Sequence, residues 1–285
     1  MEIGGKMYYF RDDGRMLRSD SVKAGKLGIL AAGSDGVLLR NAWFKASDGK
    51  WYYQGDNYAR VEKAGWLKDG TKWYYLDSDG SMLTGWIKVA AKWYYFQPSG
   101  QMTTGWQKIS EKWYYFDDKG AMQTGWQEIS SKWYYFDAKG VMQTGWKEIG
   151  SKWYHFDANG VMDKGWKEIS GKWYYFGTNG VMNTGWKEIG GKWYYFNTGG
   201  DMAIGWRTIG SNTYYFKENG QMAANEWCKG YWLNGNGTWT YKYKATWRQN
   251  SNGWWYGDES GWYAKSCTIT IDGKSYTFDA NGYMQ

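Results

Sequence analysis

The sequence predicts an all-β repeat protein built from short, stacked β-hairpins. Between Gly65 and Trp206 the chain repeats every 20 residues without an insertion or a deletion. Each repeat holds two short runs of aromatic and β-branched residues, which favour strands, and glycines recur at fixed offsets between the runs, as turns require. A strict short period is typical of repeat proteins that grow in one dimension, so we expect an elongated stack of units.

The repeat from Gly125 to Thr144 contains two strand-like runs, 126–129 and 132–136. The dipeptide Ser130-Ser131 separates the runs, which predicts a hairpin with a tight turn. A second turn follows and ends at Gly140, where glycine tolerates a positive φ. One repeat is therefore a hairpin and a connecting loop.

Alternation of side chains along these strands places aromatic rings on both faces of the hairpin. Because an isolated two-stranded hairpin is marginal in water, one face must pack against neighbouring units. We expect Ile129, Tyr134 and Phe136 to do so. This leaves Trp126 and Trp133 for the groove between hairpins.

Composition limits the possible partners. Aromatic residues make up 21% of the chain although the mean hydropathy is -0.77, so large rings must lie near the surface. The formal charge is +7, but the lysines recur within each repeat rather than forming one run. A nucleic-acid partner is therefore not predicted. No segment approaches the roughly 18 consecutive apolar residues of a membrane-spanning helix.

An enzyme is the least expected class. His155 is the only histidine, and it occupies the position of Tyr135 and Tyr175 in neighbouring repeats, so we expect it to replace a packing ring. The sequence contains no Ser/His/Asp set, metal-ligand cluster or glycine-rich phosphate loop, and no cofactor is predicted.

The pattern G-W-x-x-I-x-x-K-W-Y-Y-F-D-x-x-G-x-M-x-T-G-W, from Gly125 to Trp146, closely resembles the choline-binding repeat of Gram-positive cell-wall hydrolases, phage lysins and pneumococcal surface proteins. The spacing, the rings and the methionine agree in successive repeats. The resemblance implies a left-handed β-solenoid with about three hairpins per turn. It also implies that each choline is caged by both tryptophans of one repeat and the leading tryptophan of the next.

Carried over to this chain, the resemblance implies seven cages, beginning with Trp66, Trp73 and Trp86 and ending with Trp186, Trp193 and Trp206. The leading tryptophans are Trp66, Trp86, Trp106, Trp126, Trp146, Trp166, Trp186 and Trp206. The second tryptophans are Trp73, Trp93, Trp113, Trp133, Trp153, Trp173 and Trp193. The methionines, which either pack beneath the rings or form a pocket wall, are Met82, Met102, Met122, Met142, Met162, Met182 and Met202.

Tryptophan suits a choline ligand because a trimethylammonium group has no N–H to donate, while the indole face attracts its diffuse charge and buries its methyl groups. Weak single sites become effective on a repetitive polymer, where further engagements are intramolecular. The expected partner is choline or phosphocholine on teichoic or lipoteichoic acid. Lysines such as Lys132 could meet its phosphates, although solvated strand-end charges are the simpler interpretation.

We divide the chain into degenerate N-terminal hairpin repeats (1–60), regular repeats (61–224) and a divergent C-terminal capping segment (225–285). Trp43 and Trp51 are eight residues apart rather than seven and predict a weak site at most. Thr213 replaces the second tryptophan of its repeat, so we expect the binding array to stop there.

The capping segment contains both cysteines of the chain, Cys228 and Cys267. The sequence leaves open whether they form a disulfide or remain two free thiols.

Two other functions remain open. Aromatic repeats in streptococcal glucosyltransferases and clostridial toxins bind glucans or host glycans, so a carbohydrate-binding module is the main alternative. A structural spacer is the third. The paired tryptophans favour a closed cage over an open stacking platform, and a spacer would not retain them in repeat after repeat.

The chain begins in mid-repeat, since residues 1–10 match residues 187–196. We therefore expect the C-terminal part of a longer, secreted protein or phage lysin that is held at the Gram-positive cell surface or wall. The resemblance also allows a homodimer through the terminal repeats.

Overall fold

Antiparallel strand pairs make up almost the whole chain in the computed structural model, which describes residues 1–285. The chain divides into two compact units, Met1–Gln143 and Thr144–Gln285. The predicted all-β fold of repeated hairpins is confirmed. None of the helical segments has the length and apolar character required to cross a membrane.

The first unit consists of seven two-stranded hairpins and one 3-10 turn at Gly25–Leu27. Its strands, paired in sequence order, are β1 (Glu2–Ile3), β2 (Lys6–Met7), β3 (Asp20–Lys23), β4 (Ile29–Ala32), β5 (Ala42–Lys45), β6 (Trp51–Gln54), β7 (Gly65–Asp69), β8 (Lys72–Leu76), β9 (Gly85–Val89), β10 (Lys92–Phe96), β11 (Gly105–Ile109), β12 (Lys112–Phe116), β13 (Gly125–Ile129) and β14 (Lys132–Phe136).

The second unit continues with four regular hairpins and then changes topology. Its strands are β15 (Gly145–Ile149), β16 (Lys152–Phe156), β17 (Gly165–Ile169), β18 (Lys172–Phe176), β19 (Gly185–Ile189), β20 (Lys192–Phe196), β21 (Gly205–Ile209), β22 (Asn212–Phe216), β23 (Glu226–Cys228), β24 (Tyr231–Leu233), β25 (Thr246–Asn250), β26 (Gly253–Gly257), β27 (Cys267–Ile271) and β28 (Lys274–Phe278). Strands β24-β23-β27-β28 form one sheet, in which β23 and β27 run parallel, and β25 pairs with β26.

The hairpin turns follow the geometry that the sequence predicts. Ser130 and Ser131 have φ values of 52° and 61°, and they separate the cross-strand pair Ile129 and Lys132. Positive φ at both central residues defines the two-residue turn whose twist matches that of the flanking strands.

Each connecting loop returns the chain to the preceding hairpin. Gly140, at φ +76°, donates its N–H to the carbonyl of Asp137, whose Oδ1 accepts from the backbone N–H of Val141. The N–H of Met142 then donates to the carbonyl of Trp113 at 2.9 Å. Backbone hydrogen bonds of this kind join successive hairpins within a unit.

The core of the repeats is a column of aromatic rings. Phe136 is fully buried and Tyr134 is nearly so, which confirms their predicted inward packing, while Ile129 is half-buried. Trp106 of the preceding hairpin contacts both rings, with centroids 4.9 Å from Tyr134 and 5.7 Å from Phe136. Burial of each phenylalanine side chain contributes about 1.5–3 kcal/mol of hydrophobic free energy.

The irregular spacing of Trp43 and Trp51 has a local cause. Lys45 pairs with Trp51 across the hairpin, just as Lys68 pairs with Trp73 in a regular repeat. The additional residue lies in the hairpin turn, where the N–H of Ala46 donates to the carbonyl of Lys50. The longer turn therefore leaves the register of the strands unchanged.

The C-terminal part of the second unit has a hydrophobic core of its own. Its buried members are Trp227, Ala245, Tyr256, Ala264, Ile271 and Phe278.

Both cysteines are free thiols; Cys228 is buried and Cys267 is half-buried. Burial, together with the nearby Glu226 carboxylate, raises the pKa of the Cys228 thiol to about 12.

Alkylation is expected to show that folding protects the Cys228 thiol. At pH 8 a pKa of about 12 leaves almost no thiolate, so iodoacetamide should modify Cys228 at least about a hundredfold more slowly in the folded protein than in urea. The pKa of Cys228 in the folded protein exceeds its ordinary value of 9.0. The contribution of this thiol to the free energy of unfolding is therefore fully present below pH 9.0 and is lost as the pH rises through about 12. Peptide mass mapping checks the rates, and rapid modification of Cys228 in the folded protein would contradict this expectation.

Candidate functional site

The grooves between hairpins carry the candidate binding sites. The first is a cavity of about 380 Å³ beside the hairpin β7–β8. Its lining residues are Trp66, Trp73, Tyr94, Met102, Asp118 and Lys119. Aromatic and thioether groups thus form the walls, and one acidic and one basic side chain stand at the opening.

The two tryptophans form a corner. Their ring centroids are 6.1 Å apart and their planes meet at 90°. Trp66 is 41% exposed and Trp73 is 39% exposed, so each ring keeps a large surface available to a ligand. Tyr94 closes the corner from the next hairpin, with its ring centroid 4.9 Å from that of Trp66.

Backbone geometry positions each of these side chains. The pairs Trp66 with Tyr75 and Lys68 with Trp73 place both indoles on one face of the hairpin, because side chains alternate along a strand. Met102 is held beside Trp73 by a hydrogen bond from its N–H to the carbonyl of Trp73 at 2.8 Å.

Three consecutive repeats therefore contribute to the first groove. The tryptophan pair comes from one repeat, and Tyr94 and Met102 come from the next. Asp118 and Lys119 lie in the connecting turn of the third repeat, whose Gly120 leaves room for the Met102 thioether.

The same constellation recurs at two further grooves. A cavity of about 410 Å³ is lined by Trp86, Trp93, Tyr114, Met122, Ala138 and Lys139. A cavity of about 480 Å³ is lined by Trp186, Trp193, Tyr214, Met222, Gly235 and Asn236.

Three other repeats share the ring and backbone contacts of these grooves. In each, the leading tryptophan lies 6.3–6.4 Å from the second tryptophan and 4.9 Å from the tyrosine, and the methionine N–H donates to the carbonyl of the second tryptophan. The sets are Trp106, Trp113, Tyr134 and Met142; Trp146, Trp153, Tyr174 and Met182; and Trp166, Trp173, Tyr194 and Met202. In the remaining repeat, Trp126 and Trp133 form the usual pair at 6.3 Å in the first unit, whereas the corresponding Tyr154 and Met162 belong to the second.

The predicted grouping of the residues needs correction. The third ring of the first groove is Tyr94, not Trp86, which instead forms the next groove with Trp93. The methionine is Met102 rather than Met82, whose N–H donates to the carbonyl of Trp51. The grouping differs because each hairpin lines the preceding groove with the face opposite to its own tryptophans. In the hairpin β9–β10 that face carries Tyr94.

The sequence argument missed the tyrosines as groove residues, and it also missed Met222. The available signal was strand alternation, because the residue after the second tryptophan must point to the opposite face of the hairpin. Tyr94, Tyr114 and Tyr214 all occupy that position.

The groove at Trp206 differs from the others. Trp239 takes the place of the methionine, since its N–H donates to the carbonyl of Thr213 at 2.8 Å. Its ring lies 6.0 Å from Trp206 and 5.3 Å from Tyr231, so an indole of the chain occupies this groove. The prediction that the regular array stops at Thr213 remains a prediction.

His155 takes the place of a packing ring, as predicted, with its ring 5.0 Å from that of Trp146. Its Nδ1 also lies 2.7 Å from Asp163 Oδ2, while Lys167 Nζ lies 2.8 Å from Oδ1 of the same carboxylate. Asp163 is only 5% exposed, so the Lys167 ammonium pairs with a buried carboxylate, and the His155 ring contacts its second oxygen. The sequence argument did not foresee this cluster.

The charge beside the second tryptophan changes along the array. Lys68, Lys88 and Lys108 pair across the strands with the second tryptophan of the first three regular repeats. The ammonium groups of Lys68 and Lys88 lie 5.7 and 5.9 Å from the ring centroids of Trp73 and Trp93. In later repeats the cross-strand partner is a glutamate: Glu128, Glu148, Glu168 and Glu188.

Exchanging these charges should alter affinity for a cation. Lys88→Glu is expected to strengthen, and Glu188→Lys to weaken, cation binding in the respective groove by about threefold to fivefold at low salt, because an exposed charge acts on the ligand through a high dielectric. Choline titrations followed by NMR of the groove methionines, at low and high salt, measure the change. An unchanged or reversed affinity at low salt would contradict this expectation.

Repeated hairpins with open, aromatic-lined grooves define the chain as a repeat binding module. The model of the choline-binding repeat matches residues 63–104, 103–144, 143–184 and 183–227, and a cell wall binding repeat matches residues 2–16. The chain belongs to the choline-binding repeat family.

Solved structures from Streptococcus pneumoniae share this fold. CbpJ is 31% identical over 84% of this chain and 99% of its own, with a TM-score of 0.71. Choline binding protein F, solved in the presence of a peptidoglycan analogue, is 32% identical over 84% of this chain and 91% of its own, with a TM-score of 0.62. The modular autolysin LytC is 26% identical over 76% of this chain but 51% of its own, with a TM-score of 0.50. No curated protein matches the chain.

Proposed function

We propose that this chain is a non-catalytic cell-wall-binding module whose grooves hold the choline groups of teichoic or lipoteichoic acid. The supporting observation is the recurring corner of two exposed tryptophans, closed by a tyrosine and a methionine. The module would anchor a larger secreted surface protein or lysin to the wall of a Gram-positive bacterium.

The chemistry of the groove suits a quaternary ammonium group. Trp66 and Trp73 offer two faces at right angles, and Tyr94 adds a third. A cation over an aromatic ring gains about 0.5–1 kcal/mol when exposed and about 2 kcal/mol or more when desolvated. Several rings together support a dissociation constant on the order of a millimolar or below for one groove.

The rim of the groove suits phosphocholine rather than choline alone. Lys119 lines the first groove and Lys139 lines the second, each in the connecting turn of a later repeat. An ammonium group at the rim can attract a phosphate whose choline enters the aromatic corner. A teichoic acid chain would present both groups together.

Repetition converts weak binding into firm attachment. Once one groove holds the polymer, further engagements are intramolecular, and avidity can exceed the affinity of one groove by about 10² to 10⁴. The same weakness of single grooves allows individual contacts to exchange while the polymer stays bound.

Separate titrations with choline and with dextran, followed by tryptophan fluorescence, test this function. We expect saturable quenching by choline at millimolar concentrations and a much weaker response to ethanolamine, which lacks the methyl groups. Saturable quenching by dextran without a response to choline would overturn the proposal in favour of a glycan-binding module.

A further inference from the structure

The C-terminal hairpin β25–β26 repeats the tryptophan arrangement of the regular grooves. Trp247 and Trp254 are seven residues apart, and Trp247 pairs with Tyr256 while Gln249 pairs with Trp254. This is the register by which Trp66 and Trp73 reach one face of β7–β8. Both indoles of the C-terminal hairpin therefore share a face.

A tyrosine of the following hairpin contacts Trp247 as Tyr94 contacts Trp66. Tyr276 on β28 lies 4.9 Å from Trp247, at an interplanar angle of 70°. The corresponding pair in the first groove, Trp66 and Tyr94, lies 4.9 Å apart at 75°. Phe278 packs beneath Trp247 at 5.8 Å, as Phe96 does beneath Trp66 at 5.9 Å.

Met284 occupies the position of the groove methionine. Its N–H donates to the carbonyl of Trp254 at 2.7 Å, and it forms a β-bridge with Phe278. In the first groove Met102 makes the equivalent bond to Trp73 at 2.8 Å and the equivalent bridge to Phe96. The backbone contacts of the methionine, and the ring contacts of Trp247 with Tyr276 and Phe278, thus match those of the first groove.

The loop that carries Met284 is fixed to the hairpin. The hydroxyl of Tyr283 accepts hydrogen bonds from the side-chain amides of Asn250, at 3.1 Å, and Asn252, at 3.3 Å. These contacts hold the neighbouring Met284 beside the tip of β25–β26.

The surfaces that a ligand would contact are accessible. Trp254 is 43% exposed and Met284 is 37% exposed, close to the values of the tryptophans in the first groove. Trp247 and Tyr276 are half-buried. In the groove at Trp206, Trp239 stands at the methionine position and its indole fills the groove. The C-terminal hairpin has Met284 at that position, as the regular grooves have a methionine.

We propose that Trp247, Trp254, Tyr276 and Met284 form a further binding site for a quaternary ammonium group, beyond the repeats matched at residues 63–227. Its ligand class rests on the proposed function of the regular grooves. The neutral Gln249 stands beside Trp254, where the regular repeats carry a lysine or a glutamate.

The irregular sequence explains why this site escapes a search by period. From Thr246 to Cys267, which begin successive hairpins, the chain advances 21 residues rather than 20. The G-W-W-Y run at Gly253 also replaces K-W-Y-Y. Neither change disturbs the pairing of Gln249 with Trp254, which places both indoles on one face of the hairpin.

Methionine methyl NMR of the full chain tests the site separately from the array. The chain has 12 methionines, and Met284→Leu and Met102→Leu assign two of their methyl signals. Choline chloride should shift both signals saturably. Trp254→Ala should reduce the affinity reported by Met284 about tenfold or more and leave that of Met102 unchanged. Trp193→Ala, the matched control, should leave the Met284 response intact.

Each outcome bears on a specific proposal. If choline shifts the Met102 signal but not the Met284 signal, the C-terminal site is excluded and the regular grooves stand. If choline shifts neither signal, both proposals fail. Trp254→Phe keeps an aromatic wall and should lose less affinity than Trp254→Ala; equal affinity in both variants and the parent would show that Trp254 does not contact the ligand.

Discussion

Replacing Gly120 with alanine is expected to destabilise the first unit by about 2–5 kcal/mol and to weaken cation binding in the Trp66 groove. Gly120 has φ +77°, where an L-residue costs about 1–2 kcal/mol. Its added Cβ would also overlap the Met102 sulfur, and overpacking costs a further 1–3 kcal/mol, approximately. A displaced Met102 would no longer form its wall of the groove.

Gly105→Ala is the matched control for this effect. Gly105 has φ +70°, but a Cβ there would meet no atom within 4 Å, so the variant retains the backbone strain without the clash. Urea unfolding measures the difference in stability between the two variants, and choline titration measures the groove. Equal destabilisation by both substitutions, with unchanged binding at Trp66, would show that the contact between Gly120 and Met102 has no energetic importance.

Trp193→Ala is expected to reduce the choline affinity of the Trp186 groove by about tenfold to a hundredfold while the fold persists. The indole of Trp193 provides one of the two faces of the corner, 6.2 Å from the centroid of Trp186. Because much of its ring already faces water, its removal creates no core cavity. The methyl signal of Met222, which lines the same groove, reports the affinity.

Thr213→Ala provides the comparison, since Thr213 holds the equivalent position in the next hairpin. It should leave the affinity at Met222 unchanged. If Trp193→Ala also left that affinity unchanged, the indole corner would not be the binding surface. Retention on a choline-bearing polymer should fall more than the loss of one weak groove suggests, because avidity multiplies over the sites.

The hairpins were predictable because their determinants are local. Ser130-Ser131 selects a two-residue turn, and period-two alternation then assigns Tyr134 and Phe136 to the packed face. The same local reasoning placed His155 at a packing position. These features depend on residues that are close together in the sequence.

The composition of each groove was not predictable in the same way. Tyr94 and Met102 reach Trp73 through the stacking of one hairpin on the next, which depends on the path of the connecting loop. The pairing of His155 with Asp163 and the entry of Trp239 beside Trp206 also join residues from separate elements. Period and alternation identify the walls but not which repeat supplies each one.

The three-repeat construction of the grooves has a consequence for the evolution of length. The residues that form one groove are separated by the same number of residues in every repeat. Tyr94 lies 28 residues after Trp66, and Tyr114 lies 28 residues after Trp86. An in-frame duplication or deletion of 20 residues within the regular section therefore rebuilds every groove across the junction with the same partners. The number of grooves can change by one while the chemistry of each stays as it is, so recombination between repeats can adjust how firmly the chain holds a polymer.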